Sequence, residues 1–242
     1  MTCLIAISSC WNYELSGANS AQRETWLPDV AQFPGLDYKF FVGVGQGAEQ
    51  QEVTGDHQPF GGMIVNQYAD TILLPNVADD QNHLTFKTKA SLLWAYAHAY
   101  NFVFRCFPDT TVRVDRLMAC GFDQNAYHGD FRGTLDWPGY ASGGAGYWLS
   151  SKAMLQLLSA PITGMGPDYL TRVEDMWVGL SLKDVKRFDD QRFKNTRDDC
   201  PSKQNDFITA HLSYTWGADG QLKAGPYDPA YMYAAHEVWK QS

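Results

Sequence analysis

The stretch NFVFRCFPDTTVRVDRL, residues 101–117, decides the fold expected for this sequence. Its apolar and aromatic start, Phe102 to Phe104, predicts a strand that enters a sheet core. Because Pro108 cannot donate a hydrogen bond to a sheet, the strand must end before it, and Asp109 follows just past the carboxyl end. Open α/β sheets bind ligands at that edge. Asp109 is therefore a candidate ligand-binding residue, although Pro-Asp is also a favourable turn pair.

Apolar runs and helical segments alternate around this stretch. Residues 4–8 and 38–44 predict strands, and residues 21–26 between them predict a helix with Asn19 or Ser20 as its cap. The order strand, helix, strand is typical of βαβ units, so we expect an α/β fold with a mostly parallel sheet. Further strands are expected at residues 70–75 and 207–214, and an acidic loop is expected after residue 75. Further helices are expected at residues 84–100 and from Ser150 or Ser151 to residue 158.

Length and composition indicate one domain over residues 1–242, large enough to bury its own core. The net charge is −8, and ten acids face four bases in the first 100 residues, which disfavours tight nonspecific binding to DNA. Five cysteines without metal-ligand spacing predict reduced thiols in a cytosol. The start MTCLIAISSC lacks a basic region and predicts a core strand, so we expect a cytoplasmic protein without a membrane anchor.

Several polar residues are candidates for chemistry, each with a structural alternative. Lys87 and Lys89 near a helix start run against the helix dipole, which a bound anion or plain solvent exposure would explain. Glu174 and Asp175 before an apolar helical pattern are good caps, but a carboxylate fixed there also suits a general base. A lone histidine in a strand, such as His211, is more often a core residue than a ligand.

Four segments, in this order, resemble the inverting β1,3-glycosyltransferases of the fringe, core 1 galactosyltransferase and β1,3-galactosyltransferase group. AQRETW at residues 21–26 is similar to the family's Arg-x-Thr-Trp helix, and LTFKT at 84–88 to its Asn-Leu-Thr-x-Lys-Thr helix start. SGGAGYWLS at 142–150 resembles the segment on the acceptor side, and VEDMWVG at 173–179 resembles the family's Glu-Asp segment.

The resemblance implies a GT-A fold and inverting transfer of a hexose from a UDP-sugar. It implies that Asp109 and His211 hold Mn²⁺ or Mg²⁺, and that Asp175, with Glu174 beside it, is the catalytic base. Candidates for contacts with the nucleotide or its phosphates are Arg23, Lys87, Arg105 and Asp109. Candidates for contacts with the acceptor are Tyr140, Ser142, Gly143, Gly144, Ala145 and Trp148.

Departures from the family pattern keep alternatives open. Where the family has Lys-x-Asp-Asp-Asp, this chain has RCFPD at residues 105–109, so two acids are missing. A binding protein that keeps the fold and has lost catalysis is therefore the second hypothesis. The acceptor is undetermined: a glycan, a protein, a small glycoside or a hydroxymethylated base of viral DNA. For DNA, phosphate contacts are expected from Arg113, Arg116, Arg132 and the basic residues of 183–203.

Overall fold

The computed structural model describes residues 1–44, 69–133, 139–162, 173–199, 206–216, 222–225 and 227–240. The strands are β1 Cys3–Ser9, β2 Leu36–Val44, β3 Thr71–Ala78, β4 Phe102–Cys106, β5 Thr110–Val112, β6 Tyr127–Gly129, β7 Phe131–Arg132, β8 Tyr140–Ala141, β9 Tyr147–Ser150, β10 Arg187–Asp189, β11 Phe193–Lys194, β12 Thr209–His211, β13 Tyr214–Trp216 and β14 Leu222–Ala224. The α-helices are α1 Trp11–Leu15, α2 Ala18–Glu24, α3 Leu84–Ala97, α4 Val114–Ala119, α5 Ser151–Ser159, α6 Glu174–Ser181 and α7 Ala230–Lys240. No helix within these ranges is both long and apolar enough to cross a bilayer.

A seven-stranded sheet in the order β10-β6-β9-β4-β1-β2-β3 forms the centre of the molecule. β1 pairs in parallel with β2 and β4, and β2 with β3, whereas β9 runs antiparallel to both β4 and β6. Helices flank this sheet. The expected α/β fold, with a mixed but mostly parallel central sheet, is confirmed.

Apolar side chains cover both faces of the sheet, as the continuous apolar sequence of β1 requires. Ile5 and Ile7 on one face pack in a cluster with Trp26. Leu4 on the other face packs in a second cluster with Leu92 of α3. Because successive residues of a strand point to opposite faces, one strand joins two cores. The β1 strand is accordingly buried along its whole length.

A smaller sheet in the order β11-β12-β5 lies beside the carboxyl end of β4. β12 runs antiparallel to β5, and His211 is the register partner of Thr110. The amide of Leu212 also donates to the carbonyl oxygen of Asp109 at 2.8 Å. This pairing fixes the late histidine next to the residue that follows the central strand.

Three expected boundaries differ from the structure. The α2 helix starts at Ala18, and Asn19 does not cap it because its side chain bonds to Ser9 and Glu14. The α3 helix ends at Ala97 because Ala99 adopts a left-handed backbone (φ 59°) that no α-helix continues. The β3 strand runs past residue 75 to residue 78, which a proline permits because β3 lies at the sheet edge.

The single strand expected at residues 207–214 is wrong: β12 ends at His211, Leu212 and Ser213 form a turn, and β13 begins at Tyr214. The other segments agree with the expectation or lie outside the described residues. Ser150 caps α5 and its hydroxyl accepts a hydrogen bond from the amide of Ala153, as the sequence predicts. Three further segments lie wholly or partly outside the described residues. They are the polar residues 49–62, which predict a loop or an irregular helix, residues 162–170, which predict a loop, and the glycine-rich run GVGQG at 43–47.

Candidate functional site

A cavity of about 740 Å³ opens where β1 and β4 end. This volume lies in the range of sites that hold a small-molecule ligand. The wall includes Ser9 at the end of β1, Lys87 on α3, Asp109 after β4, and Tyr214 on β13. The cavity therefore lies at the sheet edge that the sequence predicts for a ligand.

Asp109 and His211 face each other in this wall. The Nε2 atom of His211 lies 2.9 Å from Oδ2 of Asp109, and the Ser213 hydroxyl donates to the same oxygen at 2.5 Å. Burial alone would raise the pKa of Asp109, but the His211 charge and these hydrogen bonds outweigh it and hold this pKa below its usual value. The geometry therefore favours an ionised carboxylate at the cavity wall.

The other carboxylate oxygen, Oδ1 of Asp109, is buried and has no hydrogen-bond partner among the residues that the structure describes. An unpartnered buried oxygen costs free energy, which a bound cation would offset. Carboxylate oxygen and imidazole nitrogen are donors that suit Mn²⁺ or Mg²⁺. Within the described ranges, no group of three or more His, Cys, Asp or Glu side chains forms a metal cage. Asp109 and His211 thus provide two donor groups that fit a divalent ion.

Gly144 provides the space that the His211 ring occupies. A Cβ atom built on Gly144 would lie 2.0 Å from Nδ1 of His211, and the carbonyl oxygen of Gly144 accepts a hydrogen bond from the Thr110 hydroxyl at 2.8 Å. No larger residue fits without moving the imidazole or the backbone. The glycine segment predicted on the acceptor side therefore also shapes the Asp109–His211 pair.

Asp175 lies in the first turn of α6, beside the same glycine segment. Its Oδ2 atom accepts a hydrogen bond from the amide of Gly143 at 3.2 Å, and Oδ1 accepts one from the amide of Met176 at 2.9 Å. Burial, and then the neighbouring Glu174 charge, raise the pKa of Asp175 to about 6. A carboxylate with this pKa can take up a proton near neutral pH.

Asp175 is absent from the described cavity wall, but it lies close to one end of it. Burial and the charges of Asp109 and Asp175 raise the pKa of Tyr214, a wall residue. A Cβ atom on Gly143, the partner of Asp175, would lie 3.5 Å from the ring of Phe107, another wall residue. Asp109 and Asp175 thus flank the end of the cavity at Phe107 and Tyr214.

Glu174 and Arg105 form a fully buried ion pair behind this end. The Arg105 Nη2 atom lies 3.2 Å from Oε2 of Glu174, and the Tyr147 hydroxyl donates to Oε1. Arg105 also donates to the carbonyl oxygen of Gly143 at 3.1 Å, and its guanidinium lies 3.7 Å from the centre of the Phe107 ring. Neither charged side chain lines the cavity.

Lys87 lies in the cavity wall and is paired. Its Nζ atom donates to the Ser9 carbonyl oxygen at 2.5 Å and to Oδ1 of Asp79 at 2.8 Å. Asp79 also accepts hydrogen bonds from the amides of Trp11 and Gly43. Both side chains of the ion pair are buried, so solvent exposure, which the sequence offered as one explanation of Lys87, is wrong.

Other candidate residues lie away from the wall. Arg23 is held by Asp70 at 2.9 Å and Glu14 at 2.8 Å. Trp148 is buried in the core and stacks on Phe122 with ring centres 3.9 Å apart. Of the other residues predicted on the acceptor side, Ala145 is buried, whereas Tyr140 and Ser142 are half-buried. The arginines considered for DNA already have protein contacts, Arg113 with Asp115, Arg116 with Phe207 and Arg132 with Asp130.

Five residues of the cavity wall were not predicted from the sequence: Ser213, Asp79, Tyr13, Tyr214 and Tyr227. Ser213 lies two residues after His211, a spacing that places both side chains on one side of an extended chain, so a local signal existed. No local sequence pattern marks Asp79, because its partners come from α1, β2 and α3.

No protein-family model matches the sequence. Solved structures with a similar fold include a glycosyltransferase involved in the glycosylation of the major capsid of PBCV-1, at 11% identity and a TM-score of 0.47, covering 87% of this chain and 93% of that one. The apo-form glycosyltransferase GlyE of Streptococcus pneumoniae TIGR4 has 10% identity and a TM-score of 0.47, with 99% of this chain and 63% of that one covered. A nucleoside-diphosphate-sugar pyrophosphorylase from Vibrio cholerae RC9 has 9% identity and a TM-score of 0.40, with 78% and 91% covered. These TM-scores are too low to assign a family or an activity to this chain.

Proposed function

We propose that this protein is an inverting, metal-dependent glycosyltransferase of GT-A type that moves a hexose from a UDP-sugar to an acceptor hydroxyl. One observation carries the proposal: a buried, ionised Asp109 with an unpartnered oxygen meets His211 in the wall of a ligand-sized cavity, and Asp175 lies beside the same end. The four segments that resemble the inverting β1,3-glycosyltransferases support the same reading.

Asp109 and His211 are the residues that would hold the metal ion. When bound, the ion supplies positive charge that stabilises the diphosphate leaving group. Ser213 and Thr110 keep this pair in place, because the Ser213 hydroxyl bonds to Asp109 and the register of Thr110 fixes His211. The loss of two acids from the family motif then affects contacts around the ion rather than the pair itself.

Asp175 acts as the general base in the proposed reaction. The acceptor hydroxyl gives its proton to the Asp175 carboxylate while its oxygen forms a bond to the anomeric carbon of the hexose. The bond between that carbon and the diphosphate oxygen breaks, and its electron pair leaves with UDP. Attack from the face opposite the leaving group inverts the anomeric configuration. A base with a pKa near 6 is ionised at pH 7 and can still hold a proton.

Lys87 lines the cavity wall, and its ammonium group forms an ion pair with Asp79. We propose that it lies near the nucleotide end of the bound donor, since its Nζ atom donates to the Ser9 carbonyl oxygen at the end of β1. In this proposal Arg23 supports the site only through Asp70 and Glu14, because these two carboxylates already hold its guanidinium.

A transfer assay tests the function. The full chain is incubated with Mn²⁺, each UDP-hexose or UDP-N-acetylhexosamine, and a panel of acceptors that includes glycosides, glycoproteins and DNA containing hydroxymethylcytosine. We expect UDP release that requires one donor and one acceptor class and disappears in Asp175→Asn. Binding of a UDP-sugar without transfer to any acceptor would favour the hypothesis of an inactive binding protein.

A further inference from the structure

The buried ion pair between Arg105 and Glu174 joins the two parts of the proposed active site. Arg105 is the second-last residue of β4, four residues before Asp109, and Glu174 directly precedes Asp175. Both side chains are almost completely excluded from solvent. Since a substrate that enters the cavity meets neither of them, a direct contact with nucleotide or acceptor does not explain the pair.

Two contacts of Arg105 lead to groups at the end of the cavity. Arg105 holds the carbonyl oxygen of Gly143, and the amide of the same residue donates to Asp175. The Arg105 guanidinium also covers the ring of Phe107, which lines the cavity. A Cβ atom on Gly143 would lie 2.9 Å from Nη1 of Arg105 and 3.3 Å from Oε2 of Glu174. The backbone of this glycine therefore packs directly against the ion pair.

The second carboxylate of the Glu-Asp sequence thus has a different environment from the first. Glu174 points inward and bonds to Tyr147, while Asp175 is half-buried and bonds to two backbone amides. Within the described ranges, the buried Nε and Nη2 atoms of Arg105 make no hydrogen bond, and Nη2 contacts Glu174 as an ion pair. Arg105 therefore depends on the charge of Glu174 for its compensation in the interior.

We propose that Arg105 and Glu174 are a positioning pair that holds the Gly143 backbone and the Asp175 carboxylate in place and couples the charge of Glu174 to Asp175. This inference rests on the proposed function in assigning the base role to Asp175. It changes the roles expected from the sequence, in which Glu174 was a catalytic candidate and Arg105 a nucleotide contact. Both residues act through Asp175 and Gly143.

The charged and titratable groups around Asp175 determine the direction of the coupling. In the described part of the chain, Glu174, Arg105, Tyr127 and Tyr214 influence or are influenced by its charge. Burial raises the pKa of both tyrosines, so they are neutral near pH 7. Glu174 disfavours the ionised form of Asp175 and Arg105 favours it. Neutralising Glu174 removes the repulsion and leaves the attraction.

The test is the titration of the Asp175 carboxyl, followed by NMR in ¹³C-labelled full chain and assigned with Asp175→Asn. In Glu174→Gln we expect the titration midpoint of Asp175 to fall by about half a pH unit or more. The acidic limb of the transfer rate is expected to move to lower pH by the same amount. An unchanged or raised midpoint would overturn the inference.

This design separates the inference from the proposed function. A lowered midpoint in a protein that transfers no sugar would support the coupling and contradict the function. An active enzyme in which Glu174→Gln leaves the titration midpoint of Asp175 unchanged would support the function and contradict the coupling. If Glu174→Gln fails to fold, as judged by circular dichroism, Tyr147→Phe decides the question, because it removes only the hydroxyl that bonds to Glu174.

For Tyr147→Phe we expect a several-fold loss of kcat with the donor KM unchanged. We also expect the titration midpoint of Asp175 to shift from its value in the unsubstituted protein. The matched control is Tyr100→Phe, which removes a tyrosine–carboxylate hydrogen bond to Asp37 on the surface. Equal behaviour of the two variants in kcat and in the titration would count against the positioning role.

Discussion

The imidazole of His211 lies 2.9 Å from the carboxylate of Asp109 although 102 positions separate them in the sequence. The antiparallel pairing of β12 with β5 produces this contact, and both residues line the cavity. These two side chains are the ones that would hold a divalent cation, whose positive charge would be balanced by the Asp109 carboxylate. The cation would also give Oδ1 of Asp109 a partner.

Asp109→Asn is expected to weaken Mn²⁺ binding about 100-fold or more, since loss of even the partners of metal ligands costs about 10–100-fold. The substitution keeps the shape of the side chain and removes its charge. Titration calorimetry with Mn²⁺ in the presence of UDP measures the change. Asp37→Asn, on the exposed carboxylate that bonds to Tyr100, is the control and should leave binding unchanged. Equal affinity in the two variants would place the metal elsewhere.

The transfer rate should depend on pH through Asp175. A general base must be ionised, so the rate rises as pH increases through its pKa of about 6 and is level above about pH 7. Asp175→Asn should lower kcat by about 10²–10⁴-fold with nucleotide binding retained. A pH–rate profile between pH 4.5 and 8 checks this. A rate that stays level down to pH 4.5 would rule out Asp175 as the base.

Gly144→Ala should displace the His211 ring, because the added methyl group would lie 2.0 Å from Nδ1. We expect a loss of about 1–3 kcal/mol in the free energy of unfolding, typical of overpacking, together with weaker Mn²⁺ binding. Urea denaturation and the metal titration measure both effects. Gly225→Ala is the control for unfolding, since the closest atom to its Cβ among the described residues is 3.9 Å away. A Gly144→Ala variant as stable as Gly225→Ala would contradict the packing described.

Lys87→Met should cost about 3–5 kcal/mol of unfolding free energy, because it leaves Asp79 buried without its cation. Lys240→Met, in the exposed pair with Glu237, should change it by only about 0–1 kcal/mol. Denaturant unfolding at pH 7 compares the two. Equal effects would mean that the Lys87–Asp79 pair is solvated in solution.

Local sequence determines the part of this fold that could be predicted. The apolar run before Pro108 marks β4 and places Asp109 at a strand end, because a missing backbone donor acts locally. Continuous apolar runs such as β1 likewise predict a strand buried on both faces. The mostly parallel sheet follows from the order strand, helix, strand at the start of the sequence.

Tertiary partners explain what the sequence did not predict. Asn19 is a favourable helix N-cap by local propensity, but its side chain forms hydrogen bonds with Ser9 and Glu14 instead. Lys87 is an exposed lysine by local rules, yet Asp79 and the end of β1 enclose it. Such pairings depend on contacts between elements, which no local propensity contains.

The most direct test of the central claim is thermal unfolding of the full chain with each UDP-sugar in Mn²⁺, in Mg²⁺ and in EDTA. We expect one donor to raise Tm with a divalent ion and not with EDTA, since a ligand at about 100 times its Kd adds about 2.7 kcal/mol to the native state. Asp109→Asn should lose this response. No stabilisation by any UDP-sugar under any of the three conditions would contradict a metal-dependent nucleotide-sugar site at Asp109 and His211.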